Sequence, residues 1–448
     1  MATAPRRSAD SSPRNSTNAP RGLADMRRRL KAIFIGSIGN LVEYYDFYAY
    51  AAFALYFAKS FFPEGDELAQ QLNAAVLFAA GFLARPLGGW IFGHMADRHG
   101  RRVSLTVSVA LMCVGSLVIA VTPTFSTIGV WAAVILAGAR VLQGLSLGGE
   151  YGTSATYLSE VADEKHRGFY SSFQYVTLIG GQLCAIVVLL VLQGWLLTPL
   201  QLRAWGWRIP FAIGGLLAIV AAIMRRNLVE TDSFIEVTKH KAEHRKNSLR
   251  ELMHYPREVT LVIGLTMGGT AAFYTYTTYM QKFLKLSVHL TDSQTTTVTA
   301  GSLIFAMLLQ PIYGALSDRI GRKWLLIAFG VCGTLFTIPL LTALRAAHSA
   351  MTAFLLIATA WLIVSAYTSI NAVVKAELFP AAVRATGVGL PYALTVSIFG
   401  GTAESIALWC KKIGHESWFY TYLTACIAVS LLVYVFMRDT KRESLIKE

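Results

Sequence analysis

Twelve long apolar stretches, separated by shorter polar ones, dominate the pattern of the chain. A helix needs about 20 apolar residues to cross about 30 Å of hydrocarbon, and each stretch is close to that length. Because lipid offers the backbone no hydrogen-bond partner, each stretch must be helical. We therefore predict twelve transmembrane helices, over residues 32–58, 71–96, 103–122, 128–153, 169–193, 208–224, 258–284, 294–318, 324–344, 350–375, 386–411 and 417–437.

Polar segments divide this pattern into two halves. Residues 1–30 are rich in Ser, Pro, Arg and Asn, and we predict a disordered cytoplasmic tail rather than a signal peptide. Residues 225–257 are predicted to be a cationic cytoplasmic connector, and residues 438–448 a short cytoplasmic tail. The predicted fold is an all-α membrane protein with two pseudo-symmetric six-helix bundles, over 31–224 and 258–437.

A short motif occurs once in each half, in the loops that follow the second and the eighth predicted helix. The matching residues are Gly93, Asp97, Arg98, Gly100 and Arg101 in the first copy and Gly314, Asp318, Arg319, Gly321 and Arg322 in the second. Repeated halves of this kind are typical of transporters whose binding site lies between the halves, near the bilayer midplane.

Composition and charge agree with a membrane protein. Apolar residues make up 54% of the 448 residues and charged residues 15%, whereas soluble domains carry about 25% charge. Lys and Arg are concentrated in the segments on the side of both termini, and the fewer basic residues assigned to the other side include Arg203, Arg208 and Lys282. The positive-inside rule then predicts cytoplasmic termini. The net charge of +14 reflects topology rather than nucleic-acid binding.

The sequence carries no motif that would indicate an enzyme. Five cysteines, an odd number, lie mostly in apolar runs and form neither a disulfide set nor a zinc motif. Residues 144–148 match G-x-S-x-G, but they lie inside a predicted membrane helix rather than after a strand. Nucleotide-binding and HExxH motifs are absent from the sequence. We therefore expect neither an enzyme nor an ATP-driven pump, and no metal or organic cofactor.

Several segments resemble a known family. The repeated loop motif is similar to the signature of the major facilitator superfamily. More narrowly, NLVEYYDFYAY (40–50), RVLQGLSLGGEYG (140–152) and WGWRIPF (205–211) resemble the metabolite:proton symporter family, over nearly the whole chain from residue 27 to 437. Both motif sets point to one fold, the twelve-helix transporter with alternating access.

The resemblance implies proton-coupled uptake of a dicarboxylate across a bacterial inner membrane by a functional monomer. FYTYTTYMQK (273–282) and KAELFPAAVRATGVGL (375–390) favour 2-oxoglutarate within the family. Citrate, shikimate, an aromatic acid or a betaine are alternative substrates. Sodium is an alternative coupling ion, because carboxylates also coordinate it. A sensor without transport is a remote alternative, since it would need an output domain. The resemblance further implies that the repeated loops control the conformational switch.

Ionisable residues inside the predicted helices are the main candidates for chemistry, because each costs about 2.5–3.5 kcal/mol at the bilayer centre. They are Glu43, Asp46, Arg85, Arg140, Glu150, Lys375 and Glu404. Such side chains should face the interior of the bundle and find partners there. Near the end of its helix, Lys375 is expected to extend to the membrane surface. Glu404 is either a second titrating group or a structural partner.

Glu43 and Asp46 lie on one face of the first helix. Two close carboxylates in a partly desolvated cavity disfavour double ionisation, which is the property that a proton carrier needs. We therefore predict proton coupling through Glu43 and Asp46, an assignment that rests chiefly on the family resemblance. Permanent ion pairs with Arg85 or Arg140 are the alternative.

Arginine binds carboxylates through two parallel N–H groups and stays charged. A substrate with two carboxylates would need two such groups, so Arg85 and Arg140 are the predicted substrate-binding cations. Gln174, Tyr48 and Tyr276 are weaker candidates that could donate hydrogen bonds to the substrate. For these aromatic residues, ordinary packing is the alternative.

Overall fold

The computed structural model describes the backbone of residues 23–99, 101–162, 164–226, 252–380, 383–441 and 443–446. Its account of side chains begins at Asn40 and omits several residues of the second to fourth helices and the end of the sixth. Most of the predicted N-terminal tail and most of the connector over 225–257 lie outside the described residues.

Twelve long helices make up the described chain, and they are numbered in chain order. They are α1 Leu23–Phe61, α2 Glu67–Phe92, α3 Arg101–Val121, α4 Trp131–Gly148, α5 Arg167–Leu196, α6 Ile209–Arg226, α7 Pro256–Leu286, α8 Asp292–Ile320, α9 Arg322–Arg345, α10 Ala350–Glu377, α11 Arg384–Lys412 and α12 Glu416–Phe436. Helical turns continue α2 to His99 and α4, after Gly149, to Val161. Short helices at Phe125–Ile128 and Pro199–Ala204 lie in connections.

Each predicted membrane segment coincides with one of these helices, and the all-α fold is confirmed. In the described part of the chain, nine helices are long and apolar enough to cross a membrane, and Thr106–Val121 and Gly206–Val220 are shorter apolar helices. The first helix begins at Leu23, inside the segment predicted to be a disordered tail. Leu, Ala, Met and Arg at the end of that segment are strong helix formers, which explains the earlier start.

Four spanning helices are locally interrupted, and in α10 the interruption is a turn at residues 369–370, just before Asn371. A turn at Ala84 precedes Arg85 and Pro86 in α2, and Pro86 fits there because the first turn of a helix needs no proline N–H. In α7 and α11 the interruptions are single π-helical turns, at Thr275–Tyr279 and Val396–Gly400. Such turns change which side chains face a neighbouring helix.

Helices α1 to α6 pack on one another, with α1 on α5, α2 on α4 and α3 on α6. Helices α7 to α12 pack in the same way, with α7 and α9 on α12 and α8 on α10. Contacts between the two groups run along α5 and α8, along α2 and α11, and between the α4 continuation and α11. The domain limits at 31–224 and 258–437 stay a prediction.

The two groups of helices touch at both ends of the molecule. The end with the α4–α5 and α10–α11 connections and the C-terminal segment after Met437 is called the tail end. There a Cβ on Gly152 would lie 2.6 Å from the Ala385 carbonyl oxygen, so this crossing requires glycine. At the other end, Gln281 Nε2 donates to the Ala52 carbonyl at 3.1 Å. The structure is therefore closed at both ends.

Candidate functional site

Asp46 of α1 is the centre of a buried polar cluster between α1, α3 and α4. Its carboxylate accepts hydrogen bonds from the Ser116 hydroxyl and, at 3.0 Å, from Gln143 Nε2. The side chain is fully buried. On α6, a Cβ at Gly214 would lie 2.0 Å from Asp46 Oδ1, so the carboxylate occupies the space that this glycine leaves. Asp46 is thus enclosed by α3, α4 and α6, but it has no direct cationic partner among the described residues.

Gln143 connects Asp46 to Arg140, one helical turn earlier in α4. Arg140 Nη1 donates to Gln143 Oε1 at 2.6 Å and to the Phe47 carbonyl at 3.4 Å. Its guanidinium lies over the rings of Phe47 and Tyr50, with Cζ 4.3 and 4.4 Å from the ring centroids. Nε and Nη2 find no hydrogen-bond partner in the described part of the chain. Arg140 therefore keeps donors for an anion.

Arg85 lies close to the same aromatic ring. Its Cζ is 4.4 Å from the centroid of Phe47 and 3.9 Å from that of Phe82. Only 5% of the residue is exposed, and Nε and Nη2 lack hydrogen-bond partners among the residues that the structure describes. Phe47 thus brings the two predicted substrate-binding arginines to one place. Such cation–π contacts hold a cation without using up its N–H donors.

Glu43 is buried in α1, one turn nearer the tail end than Asp46. The predicted pair therefore does lie on one buried face. The side chain of Glu150 lies outside the described residues.

Several tyrosines lie where the two groups of helices meet, and they contact one another across that boundary. The hydroxyls of Tyr48 in α1 and Tyr274 in α7 are 3.3 Å apart. Nearer the tail end, the rings of Tyr151 and Tyr392 stack with centroids 3.5 Å apart, and Asn371 Nδ2 donates to the Tyr175 hydroxyl at 2.7 Å. Aromatic rings with hydroxyl groups therefore line the seam between α1, α4 and α5 and the opposing α7, α10 and α11.

The side chain of Lys375 does not lie where the sequence predicted. We expected its side chain to extend to the membrane surface, but the residue is 0% exposed. Nζ donates to the Tyr151 hydroxyl at 2.9 Å and lies 3.8 Å from the centroid of the Tyr392 ring. The side chain points into the seam because the tail end beyond it is closed by the α4–α11 crossing.

Two weaker candidates occupy different surroundings. Gln174 is fully buried in α5 and accepts a hydrogen bond from the Ser154 hydroxyl at 2.7 Å, while its Nε2 lacks a partner in the described chain. Tyr276 borders a small void between α7, α9 and α10, beside Phe329 and Thr337. The structure does not bring Tyr276 to Tyr48. The π-helical turn that begins at Thr275 shifts the facing position, and Tyr274 takes that place.

A buried ion pair in the second half was missed by the sequence analysis. Lys282 Nζ in α7 lies 2.5 Å from Glu404 Oε1 in α11, and both side chains are almost fully buried. Lys282 was counted from the sequence among the basic residues on the side opposite the termini, whereas its side chain is buried inside α7, after the π-helical turn. Lys282 lies within the predicted helix 258–284, and this position was the sequence signal that its side chain could be buried. Glu404 therefore has a structural partner.

The second copy of the repeated loop motif connects the two halves at the tail end. Asp318 at the end of α8 accepts backbone N–H bonds from Gly168 and Phe169 of α5, at 2.8 and 2.9 Å. Arg322 binds Asp318 at 2.8 Å, whereas Arg319 is exposed. In the first copy, the side chains of Asp97, Arg98 and Arg101 and the whole of Gly100 lie outside the described residues, and Gly93 is described only as part of the helical backbone.

Comparison with known proteins shows the family to which this chain belongs. The family model for "Sugar (and other) transporter" matches residues 32–258 and 226–447. The alpha-ketoglutarate permease of Escherichia coli (strain K12) is 51% identical over 414 residues, which cover 92% of this chain and 95% of that protein. The citrate-proton symporter of Klebsiella pneumoniae is 35% identical over 386 residues, which cover 85% of each.

Solved structures share the fold. The crystal structure of a D-xylose-proton symporter has a TM-score of 0.70 at 19% identity, over 93% of this chain and 99% of that one. At this identity the likeness concerns the fold alone.

Proposed function

Because this chain belongs to the sugar (and other) transporter family of the major facilitator superfamily, we propose that it takes up 2-oxoglutarate together with protons. The observation that carries the substrate is the 51% identity with the Escherichia coli alpha-ketoglutarate permease over 92% of the chain. 2-Oxoglutarate is a dianion with a carboxylate at each end, and the site offers buried cations with spare N–H donors.

Substrate binding uses the guanidinium groups that flank Phe47. Arg85 and Arg140 each keep Nε and Nη2 available, and the ring fixes their positions. An incoming carboxylate accepts two parallel N–H bonds from such a fork. Tyr48 and Tyr274 donate hydroxyl groups beside it, and Gln174 is the more distant polar candidate.

Proton coupling uses Asp46, with Glu43 as the second candidate. An ionised Asp46 draws the Gln143 amide, and Gln143 in turn holds Arg140 through its Oε1. Protonation of Asp46 removes a negative charge from the neighbourhood of Arg140, so the guanidinium attracts a substrate anion more strongly. Because binding linkage is reciprocal, substrate binding then also favours protonation. This is the requirement for symport.

The electrical work of moving the substrate's charge constrains how many protons must enter with each substrate molecule. Moving one charge against 100 mV costs about 2.3 kcal/mol, so a dianion entering a negative interior faces about 4.6 kcal/mol per 100 mV. Two protons neutralise this charge, and a third lets the potential itself drive uptake.

Placement in the cell follows from the same proposal. The excess of Lys and Arg on the side of both termini supports cytoplasmic termini in a bacterial inner membrane. The protein then works as a monomer with two six-helix domains, 31–224 and 258–437, that rock about the central site. The repeated loops act as tail-end latches, with salt bridges and caps that exist in one state only.

Uptake of labelled 2-oxoglutarate into proteoliposomes tests the proposal. With an alkaline interior we expect accumulation, which collapses when a protonophore is added. Unlabelled citrate, shikimate and glycine betaine should compete poorly. Accumulation that persists without a proton gradient would contradict proton coupling, and dependence on a sodium gradient would identify the other ion. Stronger competition by citrate than by 2-oxoglutarate would overturn the substrate.

A further inference from the structure

Two lysines of the second half, Lys282 and Lys375, are buried, and among the described residues only Lys282 has a counter-charge. Lys282 pairs with Glu404 at 2.5 Å. Lys375 has no carboxylate within salt-bridge distance among the described side chains, and its Nζ contacts only the Tyr151 hydroxyl and aromatic faces. A buried ammonium group without a counter-ion is costly, and such groups usually mark a binding or transport pathway.

The surroundings of Lys375 are those of an anion site. Asn371, one turn earlier in α10, directs its Nδ2 to the Tyr151 and Tyr175 hydroxyls at 3.3 and 2.7 Å. These hydroxyls belong to α4 and α5, so polar groups from both halves meet here. The Tyr151 hydroxyl accepts from both Lys375 and Asn371. The Tyr151 hydroxyl oxygen thus occupies the position in which a carboxylate oxygen of the substrate would accept the same two hydrogen bonds.

We propose that Lys375 binds one carboxylate of the transported dianion from the second half, opposite the arginines beside Phe47 in the first half. This inference rests on the proposed function. A dianion held at one end by α10 and at the other by α2 or α4 bridges the two halves. Substrate binding then stabilises the closed arrangement around the site, which is what alternating access requires.

Aromatic contacts connect the two cationic places. Phe82, which lies against Arg85, packs edge-on to Tyr274 with centroids 5.0 Å apart. Tyr274 packs in the same manner on Phe273, and Phe273 on Tyr175, at 5.2 and 5.3 Å. The Tyr175 hydroxyl then contacts Asn371. Aromatic rings therefore form a continuous path from Arg85 to the surroundings of Lys375.

Selectivity in proteoliposomes tests the inference better than the uptake rate does. Two competitors each lack one carboxylate: in 2-oxoglutaramate an amide replaces the distal group, and 4-oxobutanoate lacks the carboxylate beside the keto group. Wild-type protein should prefer 2-oxoglutarate to both. In K375Q and K375M the preference over one competitor should fall about ten- to hundredfold, since one charged hydrogen-bonded contact is gone. The preference over the other competitor should not change.

Three controls make each outcome decisive. The double variant Lys282→Gln/Glu404→Gln also removes a buried lysine from the second half, and both of its preferences should remain. K375R keeps the charge and should retain part of the lost preference. Unchanged or equally reduced preferences in K375Q would overturn the inference, as would the failure of both neutral variants to fold, because Lys375 would then be structural. If wild-type protein takes up no 2-oxoglutarate, the proposed function itself fails.

Discussion

We propose that single residues carry the proton coupling, and Asp46 is the first to test. Asparagine has nearly the same shape and still accepts bonds from Ser116 and Gln143, but it cannot bind a proton. We expect D46N to lose accumulation driven by a proton gradient by at least about tenfold while it keeps exchange of internal for external 2-oxoglutarate. Exchange needs only substrate binding and the conformational change. Both activities are measured in the same proteoliposomes.

E43Q is the matched comparison for D46N, since it removes a second buried carboxylate one turn away on the same helix. Full accumulation in D46N together with its loss in E43Q would transfer the coupling role to Glu43. Loss in both would assign the proton to the pair.

The arginines beside Phe47 are tested by charge-conserving substitution. Lysine keeps the positive charge of Arg85 or Arg140 but presents a point charge instead of a planar fork. We expect R85K and R140K each to raise the KM for 2-oxoglutarate about ten- to hundredfold, the value of one or two charged hydrogen bonds. R345K, at an exposed position that contacts Glu416, should transport normally. An unchanged KM in R85K or R140K would remove that residue from the site.

Some site residues could be found from the sequence because a charge inside an apolar run is visible in the letters alone. Asp46, Arg85 and Arg140 are of this kind. Lys375 is visible too, but the direction of a long side chain near a helix end depends on what closes that end. Here the α4–α11 crossing closes it, and no local pattern encodes that contact.

At the scale of helices, hydropathy determines where most segments begin and end to within a few residues, the start of α1 excepted, but not where their turns change type. Tyr276 was a weaker candidate for the site, whereas the structure brings Tyr274, the residue just before the π-helical turn at Thr275–Tyr279, to Tyr48. Lys282 follows the same turn. A π-helical turn has no sequence signature comparable to a run of apolar residues, so the position of Tyr274 required the structure, whereas Lys282 already lay within a predicted helix.

The α4–α11 crossing provides a prediction at this scale. A methyl group on Gly152 would come within 2.6 Å of the Ala385 carbonyl oxygen, so G152A should disfavour closure at the tail end. We expect faster hydrogen–deuterium exchange in residues 385–392 and slower transport. G138A, on the same helix, is the control, because nothing lies within 4 Å of its added methyl group. Equal exchange in the two variants would show that the crossing does not limit closure.

At the scale of the whole molecule, the two halves are held together by different contacts at each end. Carbonyl oxygens of the first half accept side-chain donors of the second half away from the tail end, as with Gln281 and Ala52. At the tail end, the Asp318 carboxylate caps two backbone N–H groups of α5. A carboxylate at a helix N-terminus is stabilising, and this one joins the two halves. Opening must therefore break it.

Removing the charge of Asp318 therefore tests what sets the balance between the closed and open states of the tail end. D318N keeps the shape but loses the charge-assisted bonds to Gly168 and Phe169, worth about 1–2 kcal/mol together, which corresponds to a 5- to 30-fold shift in population. Spin labels on the α4–α5 and α10–α11 connections should report a larger share of long distances in D318N than in wild-type protein. R319Q changes an exposed neighbour in the same motif and should give the wild-type distribution. If both variants give that distribution, contacts elsewhere hold the tail end closed, and the helix crossing at Gly152 becomes the element that the substrate must release.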